Sequence, residues 1–475
     1  RAKDGDGATA YATFSGETLV NEVTSGQSYD KLYVGAKDAA PSDANVLDNN
    51  IGFKQVTGAT GGMTVADQHH FVLVGELQSA SNPDFEMLDG DLTVAEKGSM
   101  MTLGSYGTAE KTEGRLHNVT LADGGVIRAR HGDFKGEDLT NNGGALYVGG
   151  DGKTTVNGSL LVEDTDTTLT FNSYTAEAGS DAFVFGTLAL TTMTGNGGAM
   201  TNAGKLNVGE AVIAGMTLTN KADAAYDNLT VNAGKVENVK GGTTTVAGTT
   251  TVAGTGSIEN AGAFTSDALV MTGGKFDNKG EAVIKGANAA TTIAGNLENA
   301  GTLSIEGALS TVLNDGALVH NTGSMTIAPK LGITGGELHQ SSDTTLAVSD
   351  VDVTDGLLRV DKAKVVKGNL LTLNSTDKAH VATINEGLLD FANINVTKGS
   401  ITGAGTLGTA SSNVTVDVDG SVTQSALVAK TFLNNGTTTV DDLNAAAGTN
   451  ASTGTLTINK TQTGELANNG KLNLA

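Results

Sequence analysis

Apolar and polar residues alternate in short runs that recur along the chain. In the segment from Gly295 to Gly307, Leu297 and Asn299 lie two residues apart, and Leu303 and Ile305 do so beyond a small-residue corner. Alternation with period two places each pair on one face of a strand. The pattern predicts two short strands joined by a glycine corner, with apolar residues on one side and small polar residues on the other.

This unit recurs at a nearly constant spacing. Seven similar segments, separated by 22, 18, 21, 21, 20 and 20 residues, begin at Gly234, Gly256, Gly274, Gly295, Gly316, Gly336 and Gly356. One such strand cannot bury its apolar face alone, whereas stacked copies bury a continuous core. We therefore predict an all-β parallel β-helix, a solenoid with coils of about 20 residues.

Two residue types mark the corners of these units. The asparagines that end the first strand are Asn238, Asn260, Asn278, Asn299 and Asn321, and the glycines that follow are Gly262, Gly280, Gly301 and Gly323. An asparagine amide both donates and accepts hydrogen bonds, so asparagines stacked at one corner predict a structural ladder. The glycines are expected to supply positive φ at the turns.

The regularity of the repeat predicts three sections. Residues 1–90 show no repeat and are interpreted as an N-terminal cap and irregular β section; residues 91–197 are interpreted as loop-decorated coils and residues 198–475 as a regular shaft. The longest candidate insertion is Glu163 to Asp181. Insertions in solenoids tend to lie on one face and to carry binding.

The net charge of −23 and the isoelectric point near 4.6 restrict the classes of partner that the chain is expected to bind. Nucleic-acid binding and anionic-lipid binding both depend on basic surfaces, so neither is expected. No apolar run is long enough to span a bilayer, so we expect no direct membrane insertion by this segment. The absence of cysteine suits export through an oxidising compartment, and we expect an extracellular location.

Candidate chemistry is sparse, and we predict no enzyme activity and no cofactor. Arg128, Arg130, His131 and Asp133 form the one mixed cluster, at a strand-to-loop junction. They are interpreted either as a groove of a polysaccharide-active enzyme or as a solvated loop. Nucleophilic serine motifs of the Gly-x-Ser-x-Gly type are absent.

Metal binding has two candidate patterns. His320 and His339 lie one period apart and are expected to stack, but two imidazoles without a third ligand make a weak metal site; the adjacent His69 and His70 point to opposite strand faces. Weak calcium binding is the second candidate. Its carboxylates lie in three clusters, Asp350, Asp352 and Asp355; Glu163, Asp164 and Asp166; and Asp417 and Asp419.

Several repeats resemble those of a known family. Asn202-Ala-Gly-Lys-Leu-Asn-Val208, Asn299-Ala-Gly-Thr-Leu-Ser-Ile305 and Asn321-Thr-Gly-Ser-Met-Thr-Ile327 are similar to repeats of bacterial autotransporter passenger domains, in particular the adhesin and self-associating types. The resemblance covers roughly residues 90–475. It implies a right-handed, three-faced parallel β-helix that is exported through an outer-membrane barrel (type V secretion) and displayed at the bacterial cell surface. The family's protease and esterase signatures, Gly-Asp-Ser-Gly and Gly-Asp-Ser-Leu, are absent.

Three functional hypotheses follow. The first is a surface adhesin that mediates cell–cell aggregation, biofilm formation or attachment, through self-association or through binding to a host or surface glycan or protein. The alternatives are a structural shaft or an end-to-end filament subunit, and a polysaccharide-active β-helix enzyme. Specific recognition is expected where the period breaks, before residue 190.

Overall fold

A computed structural model describes residues 92–94, 100–104, 111–156 and 159–475, together with short strands earlier in the chain. The strands before residue 131 are β1 (Ala2–Lys3), β2 (Thr9–Ala10), β3 (Leu19–Asn21), β4 (Leu32–Tyr33), β5 (Asn50–Phe53), β6 (Met63–Val65), β7 (His70–Leu73), β8 (Leu92–Val94), β9 (Met100–Leu103), β10 (Thr112–Arg115), β11 (Val119–Leu121) and β12 (Val126–Ala129). Apart from β1–β7, the predicted cap over residues 1–90 lies outside the described residues, as does His69.

The next strands, in the middle of the chain, range from two to ten residues. They are β13 (Gly132–Asn141), β14 (Ala145–Val148), β15 (Thr155–Val156), β16 (Ser159–Leu160), β17 (Thr168–Ala176), β18 (Asp181–Val184), β19 (Thr187–Gly195), β20 (Ala199–Asn202), β21 (Lys205–Ile213), β22 (Thr217–Asn220), β23 (Asp223–Val231), β24 (Lys235–Asn238), β25 (Thr243–Val252), β26 (Ser257–Asn260), β27 (Ala263–Met271), β28 (Lys275–Asn278), β29 (Glu281–Ile284) and β30 (Thr291–Ile293).

The last strands complete the described chain. They are β31 (Asn296–Asn299), β32 (Thr302–Ile305), β33 (Thr311–Leu313), β34 (Leu318–Asn321), β35 (Ser324–Ile327), β36 (Leu331–Ile333), β37 (Glu337–Gln340), β38 (Leu346–Val348), β39 (Asp350–Val353), β40 (Leu357–Val360), β41 (Val365–Asn374), β42 (Val381–Asn385), β43 (Leu388–Thr402), β44 (Thr406–Leu407), β45 (Asn413–Asn434), β46 (Thr437–Asn450), β47 (Thr455–Asn468) and β48 (Lys471–Leu474).

The predicted fold class is confirmed. Across the described residues every regular element is a strand, and the strands stack as a parallel β-solenoid in about 18 coils of about 20 residues. Two short strand pairs, β1 with β2 and β15 with β16, are antiparallel. The right-handed sense implied by the family resemblance stays a prediction.

The chain divides into two compact units. The first contains residues 1–229 and 234–244, and the second contains residues 230–233 and 245–475. The predicted sections with boundaries at residues 90 and 197 stay predictions.

The coil that contains β31 and β32 shows why the sequence folds in this way. Leu297 and Leu303 are at most 1% exposed, and each pairs in register with an apolar residue of the next coil, Val319 and Met325 respectively. Glu298 and Thr302, which lie between them, face outward. Full burial of one leucine side chain contributes about 1.5–3 kcal/mol, so the inward columns supply the stability that the short strands lack.

An insertion decorates the first unit, but it does not lie where the sequence suggested. Glu163 to Asp181 was expected to be a loop, whereas Thr168–Ala176 is a nine-residue strand. Its aromatic residues Phe171 and Tyr174 are inward-facing core residues, at most 2% exposed, rather than loop residues. The insertion lies just before this strand. It contains the hairpin of β15 and β16, and Val156 of the hairpin and Leu161 directly after it pack with Met100 and Val126.

Candidate functional site

The predicted asparagines lie inside the coils. Asn278 Nδ2 donates to Asn299 Oδ1 at 2.8 Å, and Asn299 Nδ2 donates to Asn321 Oδ1 at 2.8 Å; Asn260 makes the same bond to Asn278. The second amide hydrogen is used as well, since Asn299 Nδ2 also lies 2.8 Å from the carbonyl oxygen of Ser324. These side chains are at most 1% exposed. Their hydrogen bonds therefore satisfy polar groups whose burial without a partner would destabilise the folded protein.

The row of amides is longer than the sequence indicated. In the first unit, Asn202 donates to Asn220 and Asn220 donates to Asn238, at 2.8 and 3.0 Å. In the second unit Asn321 donates to Gln340 at 2.7 Å. Two of the missed members lack part of the expected motif, since Asn220 has no glycine two residues later and Gln340 is a longer amide in the same inward column. Asn202 carries the complete Asn-Ala-Gly motif and could have been predicted from it.

The predicted glycine role needs correction. None of Gly262, Gly280, Gly301 and Gly323 has positive φ. A Cβ at Gly301 would lie 2.1 Å from the carbonyl oxygen of Gly280, and one at Gly323 would lie 2.2 Å from that of Gly301. Gly280, Gly301 and Gly323 are therefore required by the close approach of one coil to the next, and none of the four glycines supplies a left-handed turn.

The outward face of the same strands carries charged and aromatic residues. In the second unit, one outward column runs in register through Glu298, His320, His339 and Arg359, one residue from each successive coil. The stacking predicted for the histidines is confirmed, since the ring centroids are 4.8 Å apart and the planes are inclined by 20°.

Two residues outside that column complete a cluster around the histidines. Ser341 Oγ lies 3.2 Å from His320 Nε2, 3.0 Å from His339 Nε2 and 2.8 Å from Asp361 Oδ2. His339 Nε2 also lies 2.9 Å from Asp361 Oδ1. On the far side of the pair, His320 Nδ1 lies 3.1 Å from Glu298 Oε2. We call Glu298, His320, His339, Ser341 and Asp361 the histidine cluster.

The electrostatics of the histidine cluster favour the ionised form of Asp361. Partial burial alone would raise the pKa of Asp361, but hydrogen bonds from His339 and Ser341, with the charges of His339 and Arg359, hold it below its ordinary value. Both imidazoles are partly exposed, with side-chain exposures of 32% for His320 and 25% for His339, so a small solute can reach them. Sequence spacing pointed to the two histidines, but it did not indicate Ser341 or Asp361.

A different surface lies on later coils of the second unit. Ser421 pairs in register with Thr437, and Thr423 with Thr439. The next coil continues both columns. The six side chains alternate with buried ones, face outward and carry no charge; we call them the hydroxyl face, Ser421, Thr423, Thr437, Thr439, Thr455 and Thr457.

The proposed groove residues do not line one open groove. Arg128 is only 3% exposed, and its Nε donates to Thr102 Oγ1 at 2.9 Å. Arg130 Nε reaches the Gly104 carbonyl oxygen at 3.4 Å. The backbone N–H of His131, which has a φ of 46°, donates to Asp164, and Asp133 lies 3.8 Å from Lys111. The side chains of Arg128, Arg130 and Asp133 thus have separate local partners, His131 is held through its backbone, and Arg128 is inaccessible to a substrate.

In the first predicted calcium cluster, each of the three carboxylates has a different partner. Asp350 accepts from Asn369, Asp352 pairs with Lys330, and Asp355 accepts from Thr376. Among the residues that the structure describes, no three His, Cys, Asp or Glu side chains stand ready to hold a metal ion. Asp164, in the second cluster, instead accepts hydrogen bonds from His131 and Thr167.

The described part of the chain contains no helix with the length and hydropathy needed to cross a bilayer. No protein-family model, no curated protein and no solved structure matches the chain.

Proposed function

We propose that the chain is a surface-displayed adhesion module whose solenoid sides associate with those of a second copy. The observation that carries this proposal is the hydroxyl face. It is an uncharged, regular surface on a chain with a net charge of −23, so two copies can approach there with less electrostatic repulsion than elsewhere.

The geometry of the hydroxyl face suits contact with a copy of itself. Neighbouring coils are about 4.8 Å apart, and alternate residues along a strand are about 6.7 Å apart, so the hydroxyls form a flat lattice. Each hydroxyl both donates and accepts, so a lattice of them is complementary to its own copy. Each hydrogen bond adds only about 0.5–1.5 kcal/mol net, so we expect association that is weak for one pair of molecules and strengthened by multivalent display.

Display at the bacterial cell surface is the second part of the proposal, and the resemblance of the repeats to autotransporter passengers supports it. The expected result is labelling of intact cells of the source organism by an antibody against the chain. Labelling that requires lysed cells would contradict surface display without affecting the self-association measured in solution.

Sedimentation equilibrium of the purified chain tests self-association. We expect a monomer at low micromolar concentration and a reversible dimer at high micromolar concentration. Added sodium chloride should strengthen the dimer because it screens the repulsion between acidic surfaces. A strictly monomeric species at high micromolar concentration, at both low and high salt, would contradict the proposal.

A further inference from the structure

We propose that Ser341, His320 and Glu298 form a Ser–His–Glu catalytic triad that hydrolyses short-chain carboxylic esters. The inference concerns the histidine cluster alone, and it stands whether or not the chain self-associates. It adds an activity that no motif along the sequence indicated.

The first argument is the distance between the nucleophile and the base. The Ser341 hydroxyl oxygen lies 3.2 Å from His320 Nε2. A candidate base must lie about 2.6–3.2 Å from the group whose proton it takes, and an adjacent imidazole is a common activator of a serine hydroxyl. Ser341 and His320 therefore meet the distance condition for a nucleophile and its base.

The second argument is the orientation of the base. The other ring nitrogen of His320, Nδ1, lies 3.1 Å from Glu298 Oε2. A carboxylate accepts hydrogen bonds, so in the neutral ring Nδ1 carries the proton and Nε2 presents its lone pair to the Ser341 hydroxyl. This is the tautomer that a general base requires, and the carboxylate also stabilises the imidazolium that forms during the reaction.

The solenoid brings the three residues together from separate coils. Glu298 and His320 are register partners on β31 and β34. Ser341 is the residue directly after β37, the strand that pairs with β34. The triad is therefore assembled from three successive coils, which is why no short motif along the chain reveals it.

The third argument is a hydrogen-bond donor beside the nucleophile. His339 Nε2 lies 2.9 Å from Asp361 Oδ1 and 3.0 Å from the Ser341 hydroxyl oxygen. Because the Asp361 carboxylate accepts, this nitrogen carries a proton, and it can donate to the oxyanion that develops when Ser341 attacks a carbonyl carbon. Arg359, the register partner of His339 on the next coil, adds a positive charge to the same outward column.

The proton of the nucleophile has two acceptors. Asp361 Oδ2 lies 2.8 Å from the Ser341 hydroxyl oxygen, so the proton can point to Asp361 or to His320. A hydroxyl hydrogen rotates about its C–O bond, so the proton reaches His320 without a change of fold. Asp361 thus holds the hydroxyl in place, and rotation of the proton to His320 begins the reaction.

Ester hydrolysis then takes two steps. In the first, His320 Nε2 takes the Ser341 proton while the serine oxygen bonds to the ester carbonyl carbon; the C–O bond to the alcohol breaks, and His320 gives its proton to the leaving oxygen. In the second, His320 takes a proton from water, the water oxygen bonds to the acyl carbon, and the bond to the serine oxygen breaks as that oxygen regains its proton. The products are one alcohol and one carboxylic acid.

The exposure of the triad indicates the class of substrate. The side chains of Glu298, His320 and His339 are 33%, 32% and 25% exposed, so a carbonyl group reaches them from solvent. A partly exposed site buries little of a bound ligand and gains little binding energy from a long acyl chain. We therefore expect a high KM and a preference for short acyl groups with a good leaving group.

Hydrolysis of p-nitrophenyl acetate by the full chain tests the activity. Ser341→Ala and His320→Gln should each lower kcat/KM by at least about tenfold, because general-base catalysis typically contributes about 10²–10⁴-fold. Glu298→Gln can donate to Nδ1 and so favours the wrong tautomer of His320. It should lower kcat by at least about tenfold and leave KM unchanged, a split that a merely structural role would not produce.

A fluorophosphonate probe, which forms a stable bond to an activated serine oxygen, identifies the nucleophile by peptide mass spectrometry. We expect one adduct, on Ser341, and its loss in His320→Gln. Ser304→Ala is the matched control, because Ser304 is an outward serine of the same unit whose hydroxyl lies 3.1 Å from Glu306 Oε1. This variant should keep both the adduct on Ser341 and the wild-type kcat/KM.

Two results would overturn the proposal. Ser341→Ala retains both imidazoles, so a kcat/KM equal to that of the wild type would show that a histidine attacks the ester directly. A wild-type chain that carries no adduct on Ser341 would show that this hydroxyl is not activated. The labelling of the wild type needs no variant, so it decides the question even where a substitution prevents folding.

Discussion

The inward-facing and outward-facing positions of the same strands differ in how strictly their residue types repeat from one coil to the next. On the inner side of β28, β31 and β34, the register position is asparagine in every coil, Asn278, Asn299 and Asn321. One residue earlier, on the outer side, the position changes from aspartate to glutamate to histidine. Burial allows only a side chain that its neighbours can satisfy, whereas solvent accepts any polar residue. The inner columns therefore specify the fold, and the outer columns are where coils acquire individual chemistry.

Removing one inner amide should give the largest effect. Asn299→Ala leaves the amide of Asn278, the amide oxygen of Asn321 and the carbonyl of Ser324 without their partner, so we expect a loss of about 2–4 kcal/mol in the free energy of unfolding. Ser304→Ala, on the outer side of β32, should change it by less than about 0.5 kcal/mol. Urea unfolding measures the free energy of unfolding of both variants. Equally small losses in the two variants would show that the asparagine ladder does not stabilise the coils.

Two glycines give the next comparison. Gly301→Ala places a Cβ 2.1 Å from the Gly280 carbonyl oxygen and should cost about 1–3 kcal/mol through overpacking. The nearest atom to a Cβ at Gly332, on the outside of β36, is 3.9 Å away, and its φ is not positive. Gly332→Ala should therefore be neutral or stabilise by up to about 1 kcal/mol. Melting temperatures that fall equally in both variants would refute the close-approach explanation.

The buried hydroxyl of a tyrosine in the first unit also tests the free-energy cost of burying a polar group. Because this hydroxyl is unsatisfied, its removal should increase stability, whereas removal of the satisfied amide should decrease it. Tyr226 is 3% exposed, and its hydroxyl has no hydrogen-bond partner among the described residues. Tyr226→Phe removes this unsatisfied group and should be neutral or stabilise by about 1 kcal/mol. A loss above 1 kcal/mol in urea unfolding would show that the hydroxyl makes a stabilising contact.

The tyrosines also predict a loss of stability at high pH. Burial raises the pKa of Tyr226 above its ordinary value and raises that of Tyr174 to about 12. A raised folded-state pKa means that the stability is fully present below the unfolded pKa near 10 and is lost as the pH rises through the folded value. Melting temperature should therefore fall between about pH 10 and 12, and it should fall less in Tyr226→Phe.

The smallest effect is expected at an outer carboxylate. The pKa of Asp361 is held below its ordinary value, so its contribution is present above the unfolded pKa near 3.9 and is lost as the pH falls through the folded value. Asp361→Asn should flatten the pH dependence of the melting temperature below about pH 4 by lowering the value at pH 7, and only slightly, since the side chain is 44% exposed. An unaltered acid profile would contradict this assignment.

The contrast between inward and outward positions also explains which features of the fold and of the candidate site could be predicted from the sequence. Period, strand alternation and the asparagine corners could be predicted because inward positions repeat under a common burial constraint. Ser341 and Asp361 could not, since outward residues do not repeat and coil lengths vary by a few residues. The segment that contains Phe171 and Tyr174 was placed in an insertion because the repeat starts on either side of it, Gly158 and Gly186, are widely spaced, although both aromatic residues occupy inward positions of β17.

The central claim, that outward columns carry the function, is tested most directly by sedimentation equilibrium of two matched variants. Thr423→Arg with Thr439→Arg places two cations on the hydroxyl face, and Thr415→Arg with Thr449→Arg places two on another outward side of the same coils. Both double variants change the net charge by the same amount. We expect dimers for the wild type and the second variant and monomers for the first. Equal association of both variants would contradict the claim.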